Sequence, residues 1–219
     1  MCPLRNVVDF HDVDLTKIRA RDSKLIFCSP VTVDCALEQV IDAFAAGLLA
    51  IDSCGVAHKS FQLGVGPYGE ADAVRRALQH MREQDANLFG KAEAKRLPDI
   101  LIPGQWAIEA KIIRPFGDNG RPAEHWSENI LHPYPGNTSS LGDCMKLLQS
   151  GLPERKGIIV FGYEHGKAVV PLDPAIHSFE LLAAEIIRVE LSKRIERRIE
   201  RLCHPVHQVL RVFGWEILS

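Results

Sequence analysis

A chain of 219 residues with 46% hydrophobic and 25% charged side chains has the make-up of an ordinary globular protein, long enough to bury about 70% of its unfolded surface as one domain. Its net charge of −2 excludes a general basic footprint for nucleic acid, so any such footprint must be local. No apolar run reaches the ~18 residues of a membrane helix, and Met1-Cys2-Pro3-Leu4-Arg5 lacks the apolar stretch of an export signal, so a cytoplasmic chain without a membrane partner is expected.

Six cysteines without a Cys-x-x-Cys pair argue against a zinc site or a disulfide framework. In chain order, short strands are expected near residues 6–10 and 24–28. The His11-Asp12-Val13-Asp14 run has the residue types of metal ligands but no partners, and reads as surface. Thr32 is a fitting cap for a helix over residues 33–50, with Leu37, Ile41, Phe44 and Leu48 on its apolar stripe. After the Gly64-Val65-Gly66-Pro67 break, the spacing predicts a helix over residues 70–84 with Ala73, Ala77, Leu78 and Met81 inward.

The next segment carries the chemistry. Pro98-Asp99-Ile100-Leu101-Ile102 and Trp106-Ala107-Ile108-Glu109-Ala110-Lys111-Ile112-Ile113 alternate as strands, and Pro103-Gly104-Gln105 between them is a turn signal. With Ile102 opposite Trp106, counting outward sets Asp99 opposite Glu109, with Cβ atoms about 4.5–5.5 Å apart on one face. Lys111, two residues on, shares that face, while Trp106, Ile108 and Ala110 take the other. Two facing carboxylates repel unless a cation lies between them or one is protonated. Mg²⁺ suits such a pair, because it binds through one or two carboxylates plus substrate phosphates. A neighbouring Lys can orient a water or offset charge on the reacting phosphoryl group.

Past the hairpin, residues 114–138 form a long polar loop. A short helix over residues 141–149 is expected to turn Leu141, Cys144, Met145 and Leu148 inward. Residues 156–163 read as a central strand, apolar on both faces, with a hairpin to residues 168–172. A long helix is predicted over residues 174–203, and residues 209–218 close the domain as a last strand. The first core strand has only residues 87–96 available, so either it is short, near residues 87–89, or the boundary of the helix over residues 70–84 lies elsewhere.

Pro98-Asp99, nine intervening residues, then Glu109-Ala110-Lys111 resembles the PD-(D/E)xK signature of the restriction-endonuclease-like nuclease superfamily. Three other acidic-x-Lys triplets begin at Asp22, Glu93 and Glu154, but they lack the hairpin context and read as surface charges. The resemblance covers about residues 68–165. It implies an α/β fold with a mixed central sheet flanked by helices, in the order αβββαβ over residues 68–172, with helices added at both ends. It further implies Mg²⁺-dependent hydrolysis of phosphodiester bonds in DNA, with Mn²⁺ able to substitute. On that resemblance Asp99, Glu109 and the Ala110 backbone carbonyl hold the ion. Lys111 orients the attacking water, and Glu70, at the start of the preceding helix, adds a metal-linked carboxylate.

Several further residues are candidates. Ser140, Asp143 and Lys146 lie on the helix after the motif, where relatives place a polar group toward the site, although each also reads as ordinary helix surface. Arg114, Arg121, His125 and Lys146 are candidate nucleic-acid contacts. Trp126, Asn129, His132, Tyr134 and Asn137 give the loop a polar and aromatic mix suited to reading or stacking on bases. Arg75, Arg76, Arg82, Lys91, Lys95 and Arg96 are candidate backbone contacts or a solvated face. Across residues 182–202, Leu182, Ile186, Val189, Ile195, Ile199 and Leu202 make a stripe that packs on the domain or on a second copy. A homodimer cutting both strands fits a restriction or defence role by analogy. The alternatives are a repair or recombination nuclease and a non-catalytic module that binds nucleic acid or protein.

Overall fold

Two long helices pack as a layer on one face of the sheet ahead of the motif in the computed structural model, which describes residues 34–134 and 138–218. These residues belong to the body spanning Val33–Ser219. The strands expected near residues 6–10 and 24–28, the His11–Asp14 run, Thr32 and Asn137 lie outside the described residues. Helix α1 (Leu37–Ser53) buries Leu37, Ile41, Phe44 and Leu48 as its spacing predicts. It begins four residues later than expected, where the Gln39 side chain accepts a hydrogen bond from the Ala36 amide at 2.8 Å. Helix α2 (Glu70–Gln84) spans the predicted residues and buries Ala73, Ala77, Leu78 and Met81.

The elements that follow are α3 (Ala86–Phe89), β1 (Glu93–Ala94), β2 (Ile100–Ile102), β3 (Trp106–Ile113), α4 (Glu128–Leu131), α5 (Ser140–Gln149), β4 (Arg155–Glu164), α6 (Asp173–Glu185), β5 (Ile195–Glu200) and β6 (Val209–Ile217). The strands form one sheet in the order β1-β2-β3-β4-β6-β5. The pair β3–β4 is parallel and the other pairs are antiparallel. The chain is therefore a mixed α/β protein, with the expected helix, three strands, helix, strand order running from α2 to β4. Helices α1 and α2 cover one face through Ile41, Phe44, Leu78 and Trp106. Helices α5 and α6 cover the other through Leu141, Leu147, Phe179 and Trp215. No helix among the described residues is long and apolar enough to cross a membrane.

Four sequence expectations are corrected. Residues 87–89 lie in helix α3 rather than in a strand, because Asp85 accepts hydrogen bonds from the Asn87 and Leu88 amides and caps a helical turn; the first strand is Glu93–Ala94 instead. Residues 168–172 form no strand. Strand β4 pairs with β3 on one edge and along its length with β6 on the other, leaving no edge for a hairpin partner.

The helix predicted over residues 174–203 stops at Glu185. Arg188 takes a φ of 56°, which L side chains in a helix cannot hold, and residues 195–200 become edge strand β5. The mixed charges there serve strand contacts. Arg197 reaches Glu38 at 2.7 Å and pairs with Asp42 on α1, while Arg198 meets Glu164 at 3.2 Å. Finally, Leu148 is exposed and Leu147 takes the inward place on α5, because that helix also turns the polar Asp143 inward.

The α1–α2 contact is close enough to be tested. A Cβ at Gly47 would lie 2.8 Å from both the Ala77 Cα and its carbonyl oxygen, so backbone meets backbone. In an isolated helix Gly→Ala gains about 1 kcal/mol. Here the clash reverses the sign, and Gly47→Ala destabilises the chain by about 1–3 kcal/mol, read from urea unfolding midpoints. A gain in stability would show that the helices can part without cost.

Candidate active site

The site begins where the motif hairpin separates. Pro98 has no N–H to extend a ladder, and β2 is confined to Ile100–Ile102. Pairing runs Ile102 to Trp106 and Ile100 to Ile108, the predicted register. Strand β3 continues five residues beyond that ladder. In an antiparallel pair alternate residues direct both backbone groups to the same neighbour, so the amides of Ala110 and Ile112 face the vacated edge. Carboxylates take the place of a strand there. Asp99 Oδ2 accepts from the Ala110 amide at 3.0 Å, and Glu70 Oε2 accepts from the Ile112 amide at 2.8 Å. Glu70 is the first residue of α2, where an acidic side chain also suits the helix dipole.

Strand alternation sends Glu109 and Lys111 to the α5 side of the sheet. Glu109 is 6% exposed, and its Oε1 is buried without a hydrogen-bond partner. Burial first, then the neighbouring Asp99 charge and the carboxyl–carboxyl contact with Asp99, then Asp143, raise its pKa well above the usual carboxylate range. Burial also raises the Glu70 pKa, against the opposing pull of Lys111 and the Ile112 amide. Lys111 lies between two carboxylates from opposite helices, 3.4 Å from Glu70 Oε1 and 3.3 Å from Asp143 Oδ2. Burial works against its charge, but Glu70, Asp143 and Asp99 outweigh that and raise its pKa.

These groups line a cleft of about 840 Å³. Its walls carry the carboxylates Glu70, Asp99, Glu109 and Asp143 and the cationic Arg96, Lys111 and Lys146, with Asn129 at the loop side. Among the described residues no group of three or more His, Cys, Asp or Glu side chains is placed to hold a metal ion. Mg²⁺ does not require such a group, since it keeps several waters and binds through one or two carboxylates plus phosphate. Hard oxygen donors around the unpartnered Glu109 Oε1, with the Ala110 carbonyl on the same strand edge as Asp99, fit that ion.

The remaining candidates distribute unevenly. Lys146 lines the cleft and bonds Asp143 Oδ1 at 2.9 Å. Arg114 donates from Nη1 to the carbonyls of Gly66 and Tyr68 at 2.7 and 3.3 Å, tying β3 to the segment that leads into α2. Arg121 is exposed and does not line the cleft. His125 pairs with Glu128 at 2.7 Å beside a second hollow, which Trp126 also lines and which shares Asn129 with the first. Arg82 is spent on the Ala92 carbonyl, Arg75 pairs with Asp72, and Lys95 pairs with Glu93 at 2.8 Å.

The sequence left Asp143 between a group turned to the site and ordinary helix surface; it is 3% exposed and faces Lys111. A charge in the first turn of an amphipathic helix carries no signal that distinguishes a buried partner from a dipole-favoured surface group. Only the Lys across the sheet does so.

The raised Glu109 pKa has a definite sign in the stability of the metal-free chain. The proton-bound form is favoured in the fold, so this group's contribution is fully present below the ordinary carboxylate pKa and is lost as pH rises through the raised value. In EDTA at about pH 8, Glu109→Gln therefore stabilises the chain by about 1–3 kcal/mol, or about 2–4 °C in Tm per kcal/mol for this size, and flattens the fall in Tm above about pH 5. Equal melting of the two proteins across that range would contradict a strained carboxylate pair. No protein-family model matches the chain, and neither does any curated protein or solved structure.

Proposed function

We propose that this chain is a Mg²⁺-dependent DNA endonuclease of the restriction-endonuclease-like kind, acting in the cytoplasm. One observation carries the reading: Glu70, Asp99, Glu109 and Lys111 converge where β2 and β3 part, at the floor of an open cleft. Asp99, Glu109 and the Ala110 carbonyl would hold the ion, with Glu70 on its water shell or on a second ion. When bound, the metal supplies Lewis acidity at a phosphoryl oxygen and lowers the pKa of a water.

The chain's own groups do the rest. Asp99 and Glu70 are fixed by backbone amides, so they need no reorganisation on binding. Lys111 presents an ammonium to the attacking water and to the charge that builds on the phosphoryl oxygens. The water oxygen forms a bond to phosphorus and the bond to the leaving sugar oxygen breaks. The water's proton passes to solvent, and the leaving oxygen takes one up. The products are a phosphomonoester end and a hydroxyl end.

A homodimer remains part of the restriction analogy, but the apolar stripe read for it ran along a helix that ends at Glu185. The rival reading is a non-catalytic binding module, favoured by the lack, among the described residues, of any group of three or more His, Cys, Asp or Glu placed to hold a metal ion, and by the acidic net charge.

Cleavage of supercoiled plasmid and of linear DNA with Mg²⁺ or Mn²⁺, beside an EDTA control, separates the two. Metal-dependent cutting is expected, with a loss of about 10²–10⁴-fold in Lys111→Ala, and discrete bands would point to restriction rather than repair. No cutting, together with no heat of Mg²⁺ binding that Asp99→Ala removes, would sink the nuclease in favour of the module.

A further inference from the structure

Asp143 is the one cleft carboxylate without a role in the scheme above, and it is buried. Its two oxygens engage two ammonium groups from different elements. Oδ2 lies 3.3 Å from Lys111 Nζ on β3, at a separation where attraction is electrostatic rather than a well-aligned hydrogen bond. Oδ1 accepts from Lys146 Nζ at 2.9 Å, one turn along α5. Lys111 is 12% exposed at its side chain and Lys146 33%, so one cation sits inside the cleft and the other at its rim, separated by a single carboxylate. An ordinary i,i+3 surface pair would not explain this arrangement, because such pairs contribute little and give no reason to bury the acid. A buried carboxylate is retained at a cost unless its partners need it.

Resting on the reading of the cleft as a metal-dependent phosphodiesterase, we infer that Asp143 is a positioning residue that sets both lysines, and that Lys146 takes the phosphate next to the scissile one. Asp143 holds the Lys111 ammonium over the reacting centre from the α5 side, as Glu70 does from the α2 side. It also draws Lys146 down to the cleft wall, where its remaining N–H donors face the substrate strand. Asp143 does not repel that phosphate strongly, since both its oxygens are already matched by positive charge. Lys146 acts on the bound substrate, and Asp143 acts on the substrate through Lys146 and on the chemistry through Lys111.

The test uses the full chain and two readouts, after melting curves confirm that each variant folds. Binding of a fluorescent DNA duplex in EDTA, followed by anisotropy over a salt series, needs no cutting. Loss of one phosphate contact in Lys146→Gln is expected to reduce the slope of log K against log salt by about 1. In Mg²⁺, Lys146→Gln is expected to raise KM while kcat stays within about twofold, as for uniform binding. Asp143→Asn is expected to lower kcat about 10–100-fold and raise KM as well, with Asp143→Glu recovering part of the kcat loss. An unchanged salt slope in Lys146→Gln overturns the phosphate contact whatever the catalytic result. A folded Asp143→Asn with wild-type kcat overturns the positioning role, as does an Asp143→Glu that is no faster than Asp143→Asn. A wild type that binds but does not cut removes the nuclease reading and the Lys111 half of the inference together, leaving the Lys146 half to the salt series.

Discussion

Two backbone amides on β3 are the constraint around which the site is arranged. A buried N–H without a partner costs about 1–3 kcal/mol, and a strand that outruns its neighbour exposes one at every second residue. Pro98 forces that situation by ending β2, and Ala110 and Ile112 are the donors left over. The chain meets them with Asp99 and Glu70, so the carboxylates that face the cleft are held by the same bonds that complete the sheet edge. Function and fold are coupled at this point in a way that neither side chain alone would give. An alanine at Asp99 would strand an amide as well as remove a charge.

Satisfying amides with carboxylates creates a second demand, for positive charge. Glu70, Asp99, Glu109 and Asp143 surround one interior ammonium, Lys111, and Glu109 Oε1 is left with no partner. The surrounding packing has to be stiff to hold such a set. Helix α2 brings Glu70 to the strand edge because Gly47 lets α1 approach the Ala77 backbone. The loop entering α2 is pinned by Arg114 through the Gly66 and Tyr68 carbonyls. The same loop is held by Asp52, whose carboxylate accepts from the amides of Val65 and Cys203 at 3.0 and 2.8 Å. His207 packs against Gly66, where any Cβ would collide with its ring.

Much of this was legible in the residues, for a physical reason. A tight Pro-Gly turn fixes hairpin register, and the period of 2 then fixes faces, so the Asp99, Glu109 and Lys111 grouping follows from counting alone. Helix α2 was legible because its apolar stripe is regular and its neighbours are Gly and Pro. The failures share a different cause. Residues 186–202 have helix-like charge spacing, but the alternation Ile195, Arg197, Ile199 also satisfies a strand, and the open edge of β6 decided between the two. Residues 168–172 read as a strand in isolation and lost because both edges of β4 were occupied. Asp143 stayed open between site and surface because its partner is 32 residues away in sequence and only tertiary packing brings them together. Local pattern sets what an element can be, and the supply of unpaired edges and charges selects among the options.

An acidic chain can still handle a polyanion if its charge is organised in sequence of binding. With Glu109 held in its proton-bound form by burial and the Asp99 charge, Glu70, Asp99 and Asp143 face Arg96, Lys111 and Lys146, so the metal-free cleft is close to balanced in charge. On the nuclease reading, a divalent cation would displace the Glu109 proton and tip that balance to positive locally, without altering the rest of the surface. Arg96 lines the cleft free of any hydrogen bond or ion pair among the described residues. The Lys146 ammonium is tied to Asp143 at the rim. On the nuclease reading, Arg96 and Lys146 would engage flanking phosphates while the acidic floor engages the ion. Such an arrangement, on that reading, needs no basic surface, because the metal and the cations beside it together supply positive charge where the strand would lie.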